Sequence, residues 1–199
     1  MKSQNKIVIC GSGKFHYFET ADVFIRYKKL ESFITNNKEI FRFAPEKKKY
    51  FRFDYLSFFL FVLNRFFLKF KIIKLNKILH SNFPIIKFDF KNKVFYGFSL
   101  CSLKSIESNQ GFKKIIIDHG SPNLEYDKRV ITNELKRNKL DLRVYKNEIP
   151  EDWAINQELK EFSKADLIIV ASNFAKETFK NKKFFHKIKV LNLITKLNK

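Results

Sequence analysis

Only five glycines, four prolines, two cysteines, one methionine and one tryptophan occur among the 199 residues. Cys10 and Cys101 are far apart and each sits in an apolar stretch. That excludes a disulfide-built scaffold and fits a reducing compartment. Together with His16, His80, His119 and His186 they show no metal-ligand spacing. With so little Gly and Pro the chain has no low-complexity linker, and no internal repeat is visible. Long hydrophobic runs are missing as well. The most membrane-like stretch, Leu56-Ser-Phe-Phe-Leu-Phe-Val-Leu63, ends at Asn64-Arg65. It is well short of the roughly 18 to 20 residues that a spanning helix needs. The first ten residues carry a five-residue apolar run from Ile7 and no cleavage pattern, so no secretory signal is expected.

Acid is in short supply: 20 Asp+Glu stand against 40 Lys+Arg, a formal net charge of +20. A surface this basic suits nucleic acid, anionic membrane or phosphorylated ligands without choosing among them. What the chain does have is apolar side chains, at 45% of residues, including 25 Phe. That is ample for a packed core and argues against disorder. The Phe, Lys, Ile and Asn bias runs along the whole chain, so most Phe residues read as core or background. The length suits one sizeable α/β domain, or at a stretch two small ones.

Short apolar strands alternate with helical stretches. Lys6 to Cys10 reads as a buried strand broken by Gly11-Ser12-Gly13, and Phe18, Ala21 and Ile25 share one face of the helix that follows. Phe33 to Thr35 reads as a second strand and residues 36–53 as a basic loop with Pro45 as breaker. Residues 54–80 read as a long helix, Lys93 to Gly97 as a strand, and the region near 100–110 as a helix closed by Gly111. Lys114 to Asp118 is a strand. It ends in His119-Gly120-Ser121-Pro122, with Ser121 as N-cap and Pro122 as the first position of a helix to Asn138. Trp153 to Ser163 is an amphipathic helix with Ile155, Leu159 and Phe162 on one stripe. Asp166 to Ala171 is a strand, Ser172 caps a short helix, and Lys187 to Leu193 is the last strand. Near-continuous apolar strands alternating with helices predict an α/β, Rossmann-like doubly wound, mostly parallel sheet with helices on both faces. Ligands gather at the carboxyl ends of such strands, which singles out the loops at Gly11–His16, Asp118–Pro122 and Ala171–Phe174.

Gly11-Ser12-Gly13-Lys14 follows a strand but fails both nucleotide patterns. His16 stands where the dinucleotide fingerprint has its third glycine, and Phe15 stands where the phosphate loop has Ser or Thr. Two glycines at a helix start still allow close backbone approach to a ligand, or simply make a β–α turn. Asp118 and His119 put a carboxylate and an imidazole side by side at a strand end, suited to binding hydroxyls or moving a proton.

Three segments carry a family resemblance. Glu161-Phe162-x-x-Ala165-Asp166-x-Ile168-x-Val170-x-Ser172-x-Phe174 resembles a stretch in the N-terminal domain of family 4 glycosyltransferases. Gly13-Lys14-Phe15-His16 is similar to the opening of a bacterial branch of that family. Asp118-x-Gly120-Ser121-Pro122, with Glu134 downstream, is similar to a turn of the same branch.

The resemblance implies one domain over residues 1–199, the acceptor-side lobe of a GT-B enzyme in cell-surface polysaccharide synthesis. It implies a hexosyltransferase-type, retaining reaction with no cofactor or metal. The implied partners are a nucleotide sugar and a glycan or lipid-linked acceptor, with no nucleic acid, at the cytoplasmic face of the plasma membrane. It gives His119 and Asp118 catalytic parts, Asp118 orienting His119. Gly13, His16, Ser121 and Glu161 become substrate-binding residues, Glu161 bracing the loop before the strand at 167. The chain departs from the family after Leu193, where only Ile-Thr-Lys-Leu-Asn-Lys remains. A C-terminal donor-binding domain is therefore expected to be absent, and the chain alone is not expected to transfer sugar. A truncated product, half of a split enzyme and a binding domain all fit. Residues 54–80, rich in Lys and Phe, suit either an anionic membrane surface or packing on the sheet. A basic nucleic-acid-binding or non-catalytic interaction protein is the alternative function.

Overall fold

A computed structural model describes residues 6–11, 17–35, 50–52, 91–108 and 111–192. Gly13, His16, most of the expected 36–53 loop and the expected helix at 54–80 lie outside these residues. The elements are β1 (Ile7–Cys10), α1 (Tyr17–Arg26), β2 (Leu30–Thr35), β3 (Tyr50–Arg52), β4 (Val94–Phe98) and α2 (Leu103–Ser108). They continue with β5 (Lys114–His119), α3 (Leu124–Arg137), α4 (Asp152–Lys164), β6 (Leu167–Val170), α5 (Asn173–Glu177) and β7 (Ile188–Val190). Every described strand pairing is parallel, and the architecture is the Rossmann-like α/β one expected from the sequence. None of the described helices is long and apolar enough to cross a membrane.

The chain divides into two compact units inside β5, Met1–Ile116 and Ile117–Lys199. In the first, the strand order is β3-β2-β1-β4-β5. β1 and β4 are buried at every position, which is why their sequences are apolar without alternation. Val8, Ile9 and Phe95 are fully buried and Phe18 meets Phe33 edge-on at 5.6 Å. The order reverses between β1 and β4, the place where such sheets leave a crevice for ligands. Of the expected Gly11–His16 loop, Gly11 is described, its N–H donating to the Ile34 carbonyl. Gly97 sits where a side chain would crowd its neighbours: a Cβ there would lie 2.1 Å from Ser102 Oγ as packed.

Two first-unit elements differ from the sequence reading. Tyr50–Arg52 is a strand paired parallel with β2, not part of a loop, because β2 offers a free edge that local composition does not reveal. The helix near 100–110 is a short one, Leu103–Ser108.

In the second unit the order is β5-β6-β7. Phe162, Phe179, Ile168 and Ile188 are almost completely buried and form its centre. Helix α3 ends in a left-handed turn: Lys139 has φ 55° and Leu140 N–H donates to the Leu135 carbonyl at 2.9 Å. Its start differs from expectation. The N-cap is Asn123, not Ser121, and the helix opens at Leu124. Asn123 Oδ1 takes the Tyr126 N–H at 3.1 Å, while Ser121 is exposed in the preceding turn. Ser172 caps α5 as expected, its Oγ accepting from Ala175 N–H.

Candidate functional site

The last three residues of β5 are buried, so the strand carries Asp118 and His119 into the second unit's interior. His119 is 3% exposed. Its ring is met edge-on by Phe162 at 5.2 Å and Phe179 at 5.6 Å. His119 Nε2 lies 3.0 Å from the Pro122 carbonyl. A carbonyl only accepts, so Nε2 carries the proton and donates it, closing the Asp118–Pro122 turn on itself.

Glu158 on α4 lies beneath this turn, with no exposed surface. Its Oε2 accepts from Asn123 Nδ2 at 2.8 Å, and Leu124 N–H points at both carboxyl oxygens, at 3.3 and 3.4 Å. Asn123 thus faces two ways, capping α3 with its oxygen and holding Glu158 with its amide. Asn123 N–H donates to Thr178 Oγ1 at 2.9 Å, and Thr178 in turn donates to the Ala175 carbonyl. One hydrogen-bonded chain therefore runs from the end of α5 through the start of α3 to α4, and His119 at the end of β5 bonds separately to Pro122.

Burial lowers the His119 pKa to about 4; the Pro122 hydrogen bond and the Asp118 charge push weakly the other way. Burial raises Glu158 to about 8, against the pull of the Leu124 N–H. Although His119 Nε2 is 3.4 Å from Glu158 Oε1, both shifts favour neutral groups. At neutral pH this is an imidazole beside a carboxyl group, not an ion pair, as expected where neither charge has water around it.

The sequence-derived residues are distributed accordingly. Asp118, His119 and Ser121 share one turn, Asp118 and His119 inside it and Ser121 on its surface. Glu161 is fully buried on α4, with Gln157 Nε2 3.4 Å from its Oε1. His119 directs its Nε2 proton at the Pro122 carbonyl and its ring is enclosed by Phe162 and Phe179. Glu158, Asn123 and Thr178 were missed by sequence reasoning. A signal for Glu158 was present. The spacing that aligns Ile155, Leu159 and Phe162 also puts Glu158 on that stripe, an acid where the helix should be apolar.

Above this network lies an open groove of about 810 Å³ between α3 and residues 173–182, with Asn123 and Thr178 in its floor. Both walls follow carboxyl ends of parallel strands, β5 and β6. Tyr126 and Phe174 meet edge-on at 6.0 Å on its flanks, and Phe174 is 60% exposed. No group of His, Cys, Asp and Glu suited to a metal occurs among the described residues. No family model, curated protein or solved structure matches the chain.

Proposed function

We propose that this protein is an acceptor-binding lobe of the family 4 glycosyltransferase kind, acting in transfer from a nucleotide sugar to a glycan or lipid-linked acceptor. The observation that carries the reading is a contact. Phe162, the aromatic residue of the Glu161-Phe162 motif, stands edge-on against His119 of the Asp118–Pro122 motif. Two resembling segments distant in sequence therefore meet, at the carboxyl end of β5 beside a groove. Parallel α/β sheets hold ligands at such ends. In this reading the buried Asp118, His119 and Glu161 hold the turn in shape, and Ser121 and the groove residues meet the acceptor. Residues 54–80 would attract anionic lipid, roughly 1 kcal/mol for each Lys or Arg near the surface.

A thermal-shift comparison tests this. A short-chain polyprenyl-diphosphate sugar at a hundredfold excess over its Kd stabilises by about 2.7 kcal/mol, or about 5–10 °C for a chain of this size. That shift is expected, together with co-sedimentation with vesicles that rises with their anionic fraction. No shift with any lipid-linked or free saccharide, alongside salt-sensitive binding of single-stranded RNA or duplex DNA, overturns the proposal in favour of a nucleic-acid-binding protein.

A further inference from the structure

The groove between α3 and residues 173–182 has a composition of its own. Tyr126 and the exposed Phe174 supply ring faces and edges; Asn133 and Asn181 supply amides that donate and accept. Four cations line it against two acids, Glu125 and Glu177. Lys182 is bound to Glu125 and Lys128 to Asp152. Arg129 and Lys180 have no carboxylate partner among the described residues. Arg129 is held in place, its guanidinium carbon 5.3 Å from the centre of the Tyr126 ring, which orients its donors without consuming them.

We propose that this groove binds an acidic oligosaccharide, a sugar ring lying on Phe174 and Tyr126 and its carboxylate or phosphate meeting Arg129 and Lys180. Sugar hydroxyls need partners that both donate and accept, which Asn133 and Asn181 are. The apolar face of a pyranose covers an exposed aromatic ring, and Phe174 is exposed beside Tyr126. The volume suits a few rings rather than a long polymer. A single-stranded nucleic acid is the competing ligand for aromatic and cationic side chains. It needs a continuous cationic track for its phosphates, and Glu125 and Glu177 interrupt one here. The inference rests on the acceptor reading for the class of ligand and adds the charge and the place.

Titration calorimetry on the full chain with trigalacturonate, maltotriose and octathymidylate tests it. Trigalacturonate is expected to bind at least about tenfold tighter than maltotriose, with an affinity that falls as salt is added. Phe174→Ala and the double replacement Arg129→Ala, Lys180→Ala should each weaken it at least about tenfold. These side chains line the open groove rather than the core, and unchanged circular dichroism shows that the fold survives. Absence of trigalacturonate binding, binding indifferent to these replacements, equal affinity for maltotriose, or tighter octathymidylate binding at the groove each overturns the inference. If trigalacturonate fails while a polyprenyl-diphosphate sugar still stabilises the chain, the groove assignment falls and the acceptor reading stands.

Discussion

Replacing Glu158 by Gln removes one titration and little else. The amide oxygen still accepts from Asn123 Nδ2 and Leu124 N–H, and the shape is unchanged. In the native chain the folded state holds the Glu158 proton up to about pH 8, whereas the unfolded chain releases it near 4.5. Between those values the folded state binds the extra proton, so stability falls as pH rises. His119 acts in the opposite sense. The unfolded imidazole takes its proton below about 6.5 and the folded one only near 4, so stability is lost as pH falls through that window. From 4.5 to 6.5 the two effects offset each other; from 6.5 to 8 Glu158 acts alone. At about 1.4 kcal/mol per pH unit the loss over that last interval is at most about 2 kcal/mol. Trp153, the one tryptophan, sits on α4 near Glu158, so its fluorescence during urea unfolding reports on this helix. Native protein should lose up to about 2 kcal/mol from pH 6.5 to 8, and Glu158→Gln should not. An equal slope in both proteins, or a native stability that rises over this interval, would refute the assignment of a neutral buried carboxyl.

Asn123→Ala removes the cap of α3 and a donor to Glu158, so urea unfolding should show a loss of about 2–4 kcal/mol; a loss below about 1 would deny Asn123 its double role. Phe162→Ala empties the space between His119, Phe179 and Phe184 and should cost about 3–5 kcal/mol in the same assay. Gly97→Ala forces a Cβ against Ser102 Oγ and the Phe95 ring, and a drop of about 1–3 kcal/mol is expected by calorimetry. Lys139→Gly relieves the φ of 55° after α3 and should raise stability by about 0.5–1 kcal/mol, an outcome checked by the shift in Tm.

Local chemistry alone was enough to find every described strand but Tyr50–Arg52, and to find the described α-helices if not all their ends. β1 and β4 are apolar at nearly every position, a pattern that only burial on both faces explains, and it marks a parallel sheet before any coordinates are known. The Ser172 cap and the helix around Ile155 and Phe162 were equally legible, because spacing and capping act within a few residues. What the sequence could not settle depended on partners brought from elsewhere. Ser121 and Asn123 are both acceptable caps; Asn123 is used because Thr178 and Glu158 meet its N–H and its amide. Tyr50–Arg52 becomes a strand because β2 has an edge to pair with. His119 could have faced solvent at a strand end, but Phe162 and Phe179 enclose it and Pro122 takes its proton. The groove is assembled from two helices separated in sequence and has no local signature at all. Propensity and periodicity are short-range properties of the chain, whereas burial, protonation and shape are decided by what tertiary packing places alongside each residue.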